Sequence, residues 1–255
     1  MGMTNYYTTM TLTMKLILKD KQHLFDNLLQ LVFTTDGSHG SLPSFKPGQF
    51  ITFRFQDGQG PFRRSYSLGN LPTTNHWEFY VALFDGGRGS SQLLRLAIGD
   101  RVTIDPPTGI FTLDKRPGKR LVLIATSTGV VPFRSMRHQL EQLLAEDHQI
   151  SLLQGVRSSE YLLFRDEWYD LLSTHDGFEY VPCFSRPQSS QECQRYGAIH
   201  GPVQTALTRL PLISPENQYF LCGNPDMVTE TEALLHQSGV GLHQIMVEAF
   251  ESLAL

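Results

Sequence analysis

The chain has 255 residues, 40% hydrophobic and 18% charged, with a formal net charge of −4. That length allows one large domain or two modest ones, and the weak negative charge excludes a general basic field for nucleic acid. No window approaches the ~18 continuous apolar residues of a membrane-spanning helix, and the 3 cysteines are too few for a cysteine-ligated iron–sulfur cluster.

From the N-terminus, Met10, Leu12, Met14, Leu16 and Leu18 alternate with polar residues. That is the period of a strand and lacks the charged and apolar regions of a secretion signal. Short strand-like runs follow in "LLQLVFTT", "QFITFRF", "RRSYSLGN", "WEFYVALF" and "DRVTIDPP", separated by turn residues such as Lys46-Pro47-Gly48 and Asp57-Gly58. Their regular spacing predicts a barrel or sandwich. In "RRSYSLGN", Arg64 and Tyr66 fall on one face, and Ser65 and Ser67 on the other. A planar ligand lying on Tyr66, with Arg64 reaching a phosphate, fits that face; an exposed arginine beside a core tyrosine fits it equally. The stretch "FDGGRGSSQLLRLAIGD" sets glycines before a hydroxyl-rich helix start. Free N–H groups there suit an anion, though a serine-capped turn has the same pattern.

The polar stretch "DKRPGKR" (114–120) marks a change of rhythm, and we set the expected domains at 1–116 and 117–255. "LVLIATS" is a continuous apolar run of the kind found in buried parallel strands. A helix over "PFRSMRHQLEQLLAEDH" follows, with Phe133, Met136, Leu140, Leu143 and Leu144 on one face. Then "QISLLQGV", "FEYVPCF", "QYFLCGN" and "QIMVEAF" read as strands. The helices read between them are "LFRDEWYDLL", "PVQTALTRL" and "PDMVTETEALLHQ". Such alternation predicts a doubly wound parallel sheet. The fold class expected is therefore an antiparallel β-barrel followed by an α/β domain. Cys183, Cys193 and Cys222 show no metal spacing and no even pairing, which points to a reducing, cytoplasmic setting. The 9 histidines, His39 among them, give no metal spacing either, so no metal site is expected.

Taken in order, four motifs resemble the ferredoxin–NADP reductase family. They are Arg64-x-Tyr66-Ser67 with the glycine-rich helix start and "PPTGIF", then "TSTGVVPFRSM", "YFLCGNPDMV" and "VEAF". The resemblance implies an FAD-binding barrel and an NAD(P)-binding α/β domain. It implies that Tyr66 packs on the flavin ring, Ser67 bonds near its reactive edge and Arg64 holds the pyrophosphate. Gly87, Gly89, Ser90 and Ser91 would cradle phosphates. "GGRGSS" is similar to the loop of FMN-using relatives, but "PTGIF" is more similar to the segment against the adenine in FAD members, so FAD is expected over FMN; Phe111 fits an adenine stack and a place in the barrel core equally. Thr128 and Gly129 would face the nucleotide pyrophosphate, with Ser127 standing where the family has glycine. Arg157, Ser185 and Arg186 would take a 2′-phosphate, making NADPH the expected substrate with NADH possible. The family's further arginine is replaced here by Gly197-Ala198, with Arg195 nearby. Cys222 and Glu248, with Ser67, would surround the reacting centres, and Phe250 would cover the flavin.

The implied activity is electron transfer between NADPH and a one-electron carrier, ferredoxin or flavodoxin, through bound FAD. Arg63, Arg88 and Arg95 would form the patch that meets an acidic carrier, and a monomer is expected. Related readings are the reductase component of an oxygenase, or a free-flavin or ferric reductase. A reading of another class is a non-catalytic flavin subunit of a larger complex.

Overall fold

A computed structural model describes residues 13–25, 27–37, 40–113 and 118–250. Met10, Leu12, His39, the break at 114–117 and the tail "ESLAL" lie outside the described residues.

The first half holds β1 (Met14–Phe25), β2 (Leu28–Thr35), β3 (Phe50–Asp57), β4 (Gly60–Ser67), β5 (Trp77–Ala82) and β6 (Arg101–Thr108), with α1 (Arg88–Arg95) between the last two strands. They form an antiparallel sheet in the order β4-β3-β6-β1-β2-β5. The sheet curls until its edges meet: just beyond β4, the Gly69 N–H donates to the Glu78 carbonyl of β5 at 2.9 Å. Alternation explains which face is interior. Leu29, Leu31 and Phe33 of β2 point inward with no exposed surface, and the rings of Phe33, Phe53 and Phe79 meet at centroid distances of 5.2 to 5.9 Å.

The second half holds β7 (Arg120–Thr126), α2 (Val131–Ser135), α3 (Arg137–Ala145), β8 (Gln149–Val156), α4 (Arg165–Thr174) and β9 (Phe178–Phe184). It continues with α5 (Ser190–Tyr196), β10 (Ile199–His200), α6 (Val203–Arg209), β11 (Gln218–Gly223), α7 (Pro225–Gln237) and β12 (Ile245–Ala249). The sheet is parallel, in the order β10-β9-β8-β7-β11-β12. Both faces of the central strands are covered, which is why β7 and β11 are apolar almost throughout. Leu121, Leu123 and Ala125 of β7 pack toward α2, α3 and α4, while Val122 and Ile124 pack toward α6 and α7. The chain leaves β7 in one direction and returns on its other side as β11. The crevice at the carboxyl ends of β7 and β11 is thus the switch point where such sheets bind ligands.

Three elements differ from the sequence reading, of which the two-residue edge strand β10 was simply not read. The helix expected over 132–148 is two helices, α2 and α3, broken at Met136. Ser135 donates its hydroxyl to the Pro132 carbonyl at 2.7 Å, and the Met136 N–H is shared between the Pro132 and Phe133 carbonyls. This competes with regular helical bonding. Helix α5 has no buried residue, so no apolar stripe announced it; the Ser189 hydroxyl caps it by accepting from the Glu192 N–H.

The halves share one apolar core, in which Leu28, Tyr80 and Phe111 pack with Phe133, Phe220 and Cys222.

Candidate functional site

Strand β4 alternates as its sequence requires, with Arg63 and Ser65 exposed and Arg64 and Tyr66 half-buried. The Tyr66 ring meets Phe53 edge-on at 5.5 Å. Its burial pushes the phenol up to about 12, so the ring stays neutral. Gly89 lies directly on this pair: a Cβ there would come within 2.7 Å of Arg64 Cγ and 2.8 Å of the Tyr66 hydroxyl. Gly89 belongs to the first turn of α1, whose N-cap, Gly87, offers no side-chain cap. Ser91 N–H donates to the Gly87 carbonyl at 2.9 Å, and the Ser90 hydroxyl donates to the same carbonyl at 3.2 Å. The N–H groups of residues 88–90 precede the first intrahelical bond and carry the positive end of the helix dipole. One arginine, one tyrosine and an uncapped helix start therefore converge, although α1 begins 21 residues after Ser67.

The arginine patch is narrower than expected. Arg88 is turned away into a bidentate pair with Asp57 at 2.6 and 2.9 Å and lies over Phe62 at 4.1 Å. Its guanidinium holds the Asp57 carboxyl below the usual range. Arg63 lies 3.8 Å from Asp105, which Arg54 already pairs at 2.6 Å. Arg95 stays exposed.

At the carboxyl end of β7, a short 3-10 turn, Ser127–Val130, leads into α2. Gly129 abuts the end of β11 so closely that a Cβ would overlap the Cys222 carbonyl. Gly223 has φ +134°, and a Cβ there would run into Thr126. Thr126 Oγ1 accepts from the Asn224 N–H at 3.0 Å, and the Asn224 side chain caps α7 by accepting from Asp226 and Met227 N–H. Ser127, at the position where the family has glycine, takes φ +50°. The backbone keeps the left-handed conformation that glycine favours, and the serine bears its cost.

Cys222 and Glu248 are register partners on β11 and β12, so their side chains share one face of the sheet. Cys222 has no exposed surface, and burial, then the Glu248 carboxylate, pushes its thiol well above the usual range. It is a neutral wall rather than a nucleophile. Glu248 reaches the first domain: the Ser67 hydroxyl donates to Glu248 Oε1 at 3.1 Å. Burial raises this carboxyl to about 7, against the opposing pull of that hydrogen bond. Phe250 is held beside it, its N–H donating to the Gly223 carbonyl at 2.9 Å.

Farther along the same edge, β8 and β9 end in exposed Arg157, Ser185 and Arg186. Backbone bonds join them, Ser185 N–H to the Val156 carbonyl at 3.0 Å and Arg186 N–H to the Arg157 carbonyl at 2.8 Å. Arg195 lies in the last turn of α5, over the Tyr196 ring at 5.8 Å.

Phe111 is a correction. It is 1% exposed, with its ring 5.8 Å from Phe133 and 5.1 Å from Phe220. It fills the core between the domains and offers no face to an adenine. Three residues at the junction were missed by sequence reading: Thr126, Glu78 and Arg134. Their roles depend on contacts between distant segments, and only the hydroxyl of Thr126, ending a buried strand, was a local signal.

Residues 15–113 match the oxidoreductase FAD-binding domain family and residues 123–233 the oxidoreductase NAD-binding domain family. The chain belongs to the ferredoxin–NADP reductase-like family. Ferredoxin–NADP reductase of Pseudomonas aeruginosa is 28% identical over 257 residues, which cover 96% of this chain and 95% of that one. A flavohemoprotein of Bacillus subtilis is 28% identical over 214 residues, or 82% of this chain; the chain spans about half, 52%, of that relative's length. Among solved structures, a ferredoxin NADP+ reductase from Neisseria gonorrhoeae with bound FAD and NADP superposes with a TM-score of 0.74 at 25% identity. That match covers 93% of this chain and 98% of that one. As a member of this reductase-like family, the chain is a flavin- and NAD(P)-dependent oxidoreductase. Among its described residues no helix is long and apolar enough to cross a membrane.

Proposed function

We propose that the chain takes electrons from NADPH and passes them singly to a small carrier protein of the ferredoxin or flavodoxin kind. The observation that carries this reading is the hydrogen bond from Ser67 to Glu248, 181 residues apart. It joins the tyrosine-bearing strand of one domain to the switch-point crevice of the other, where a two-electron donor and an electron store must meet.

The residues present fit FAD. The uncapped start of α1 and the Arg64 guanidinium suit its pyrophosphate, and the missing Cβ of Gly89 lets the helix start close directly onto Arg64 and Tyr66. Bound there, FAD would supply the conversion of a two-electron transfer into one-electron deliveries. Tyr66 and Ser67 would orient the ring, and Phe250 would shield it. Thr128 and Gly129 would hold the nucleotide's pyrophosphate at the end of β7, and Arg157, Ser185 and Arg186 would hold a 2′-phosphate. Cys222 excludes water. Glu248, its carboxyl pushed up to about 7 by burial, can hold or release a proton under working conditions, as a general acid–base group must. Exposed Arg63 and Arg95 would meet an acidic carrier. The domain boundary at 116/117, the monomeric state and the cytoplasmic location belong to the same proposal.

The test is to purify the full chain, measure bound flavin, and follow its reduction by NADPH and NADH anaerobically. Delivery to ferredoxin, flavodoxin, free flavin and ferric chelates is then compared. FAD retention, faster use of NADPH and delivery to a carrier protein are expected. Arg186→Ala should cost roughly tenfold or more in kcat/KM for NADPH, the worth of one charged hydrogen bond. A colourless protein, or equal or better use of NADH, would overturn the reading. Delivery only to free flavin or iron would replace the carrier with those acceptors.

A further inference from the structure

Helix α2 starts directly after the Thr128-Gly129 turn, and two successive residues of it grip the other domain. Arg134 Nη1 donates to the Gly69 carbonyl at 3.0 Å, to Glu78 Oε2 at 2.8 Å and to the Tyr80 hydroxyl at 3.2 Å. On its other side Arg134 Nε lies 3.0 Å from both oxygens of Glu167 on α4. Glu78 is fixed in turn by the Tyr80 hydroxyl at 2.9 Å and faces His76 at 3.0 Å. The next residue, Ser135, accepts from the Gly48 N–H at 2.8 Å. Packing leaves no slack: a Cβ on Gly69 would lie 2.8 Å from the Tyr80 ring and 3.0 Å from Val131 Cγ1. Arg134 is 22% exposed and Glu78 14%.

This seam has a place in the reaction. Gly69 lies two residues beyond Ser67, just past the end of the strand that carries Tyr66, while α2 follows directly on the turn that would hold the nicotinamide nucleotide. The guanidinium spans the two sides. We infer that Arg134 is a positioning residue that sets the distance between the two redox partners by locking Gly69 and Glu78 of the first domain onto α2 of the second. The inference rests on the proposed nicotinamide-to-flavin reaction. The two ends of the fork divide the contacts, Nη1 across the seam to Gly69, Glu78 and Tyr80 and Nε back to Glu167 on α4, and a shorter-reaching ammonium cannot hold both sets in this geometry. Rates of transfer between two held reactants fall steeply with misalignment of about 1 Å.

The test uses the full chain loaded with FAD. Arg134→Lys keeps the charge between Glu78 and Glu167 and should fold. Its limiting rate of anaerobic flavin reduction by saturating NADPH should fall ~10- to 100-fold. Flavin content and the Kd for NADP+ should stay at wild-type values, with the primary deuterium isotope effect raised or kept. Glu167→Gln removes the outer pair and leaves the interdomain contacts, so it should lose thermal stability without losing rate. Should Arg134→Lys fail to fold, Glu78→Gln reads the same seam. An unchanged limiting rate in folded Arg134→Lys, or in its stand-in Glu78→Gln, would overturn the inference, and so would an equal loss in Glu167→Gln. If the wild type is inert toward both nucleotides, the functional reading fails instead. The seam is then read by the distance between spin labels at Lys19→Cys and Thr229→Cys on a Cys193→Ser background. A narrow wild-type distribution that broadens in Arg134→Lys supports the lock, and identical distributions sink it.

Discussion

The two candidate ligand cradles, one in each domain, differ in what their glycines touch. At the start of α1, Gly89 faces side chains, the Arg64 stem and the Tyr66 hydroxyl. At the end of β7, Gly129 faces the backbone of Cys222, and Gly223 faces Thr126. Side chains can swing away; a strand's backbone cannot. The first cradle is thus a surface that can change its grip on a ligand while the barrel stays intact. In the second, the fold requires the glycines before any ligand arrives, because two strand ends must touch where the crevice opens.

That difference is sharpest at Gly129. Gly129→Ala should destabilise the protein by about 3 kcal/mol or more, the upper range for overpacking, and lower Tm measured without any nucleotide. Gly89→Ala, which side chains can partly accommodate, should lower Tm by clearly less than Gly129→Ala and weaken flavin retention as well. Equal Tm losses in both variants would erase the distinction.

Next comes Glu248, where the second domain reaches into the first. Its folded carboxyl titrates at about 7 rather than the ordinary 4.5, so the raised value opposes folding once the unfolded chain ionises. Below about pH 4 the group costs nothing. Its cost grows as pH rises from 4.5 to 7 and is constant above. Glu248→Gln removes it, and should be more stable than wild type by up to about 3 kcal/mol at pH 8, with no gain at pH 4. Denaturant melts at both pH values check the sign; a gain at pH 4 that vanishes at pH 8 would reverse it.

In the first cradle, Arg64→Ala should weaken flavin binding by about 1.5–3 kcal/mol, the worth of a charge-assisted hydrogen bond. Fluorescence titration of the flavin-depleted protein measures it. Full retention would leave Arg64 a surface arginine over Phe62, which it approaches to 5.5 Å.

The smallest effect is at Ser127. Relief of a left-handed serine at φ +50° is partly offset by the greater freedom of glycine in the unfolded chain. Ser127→Gly should therefore gain no more than about 1 kcal/mol. A loss of stability would mean that the serine hydroxyl does something for the turn that its backbone geometry does not reveal.

The sequence by itself determined the fold class and its halves, because period-2 alternation and continuous apolar runs report which faces are buried. The helix 225–237 was legible from the alternation of strands and helices, as the segment "PDMVTETEALLHQ" between two strand-like runs. So were the residue types of both cradles. Arg64 and Tyr66 on one strand and the glycines at the start of α1 lie on two short segments, and their chemistry shows in the order of the two. The sequence did not show that Phe111 is core, that Arg88 is spent on Asp57, or that Arg134 bridges the domains. Each depends on which distant segment arrives opposite it, and local periodicity carries no such information. An aromatic or an arginine looks alike in sequence whether it meets a ligand, a carboxylate or a neighbouring ring. Only the packing of one sheet's edge against the switch point of the other decides, since burial and pairing are properties of the neighbourhood and not of the residue.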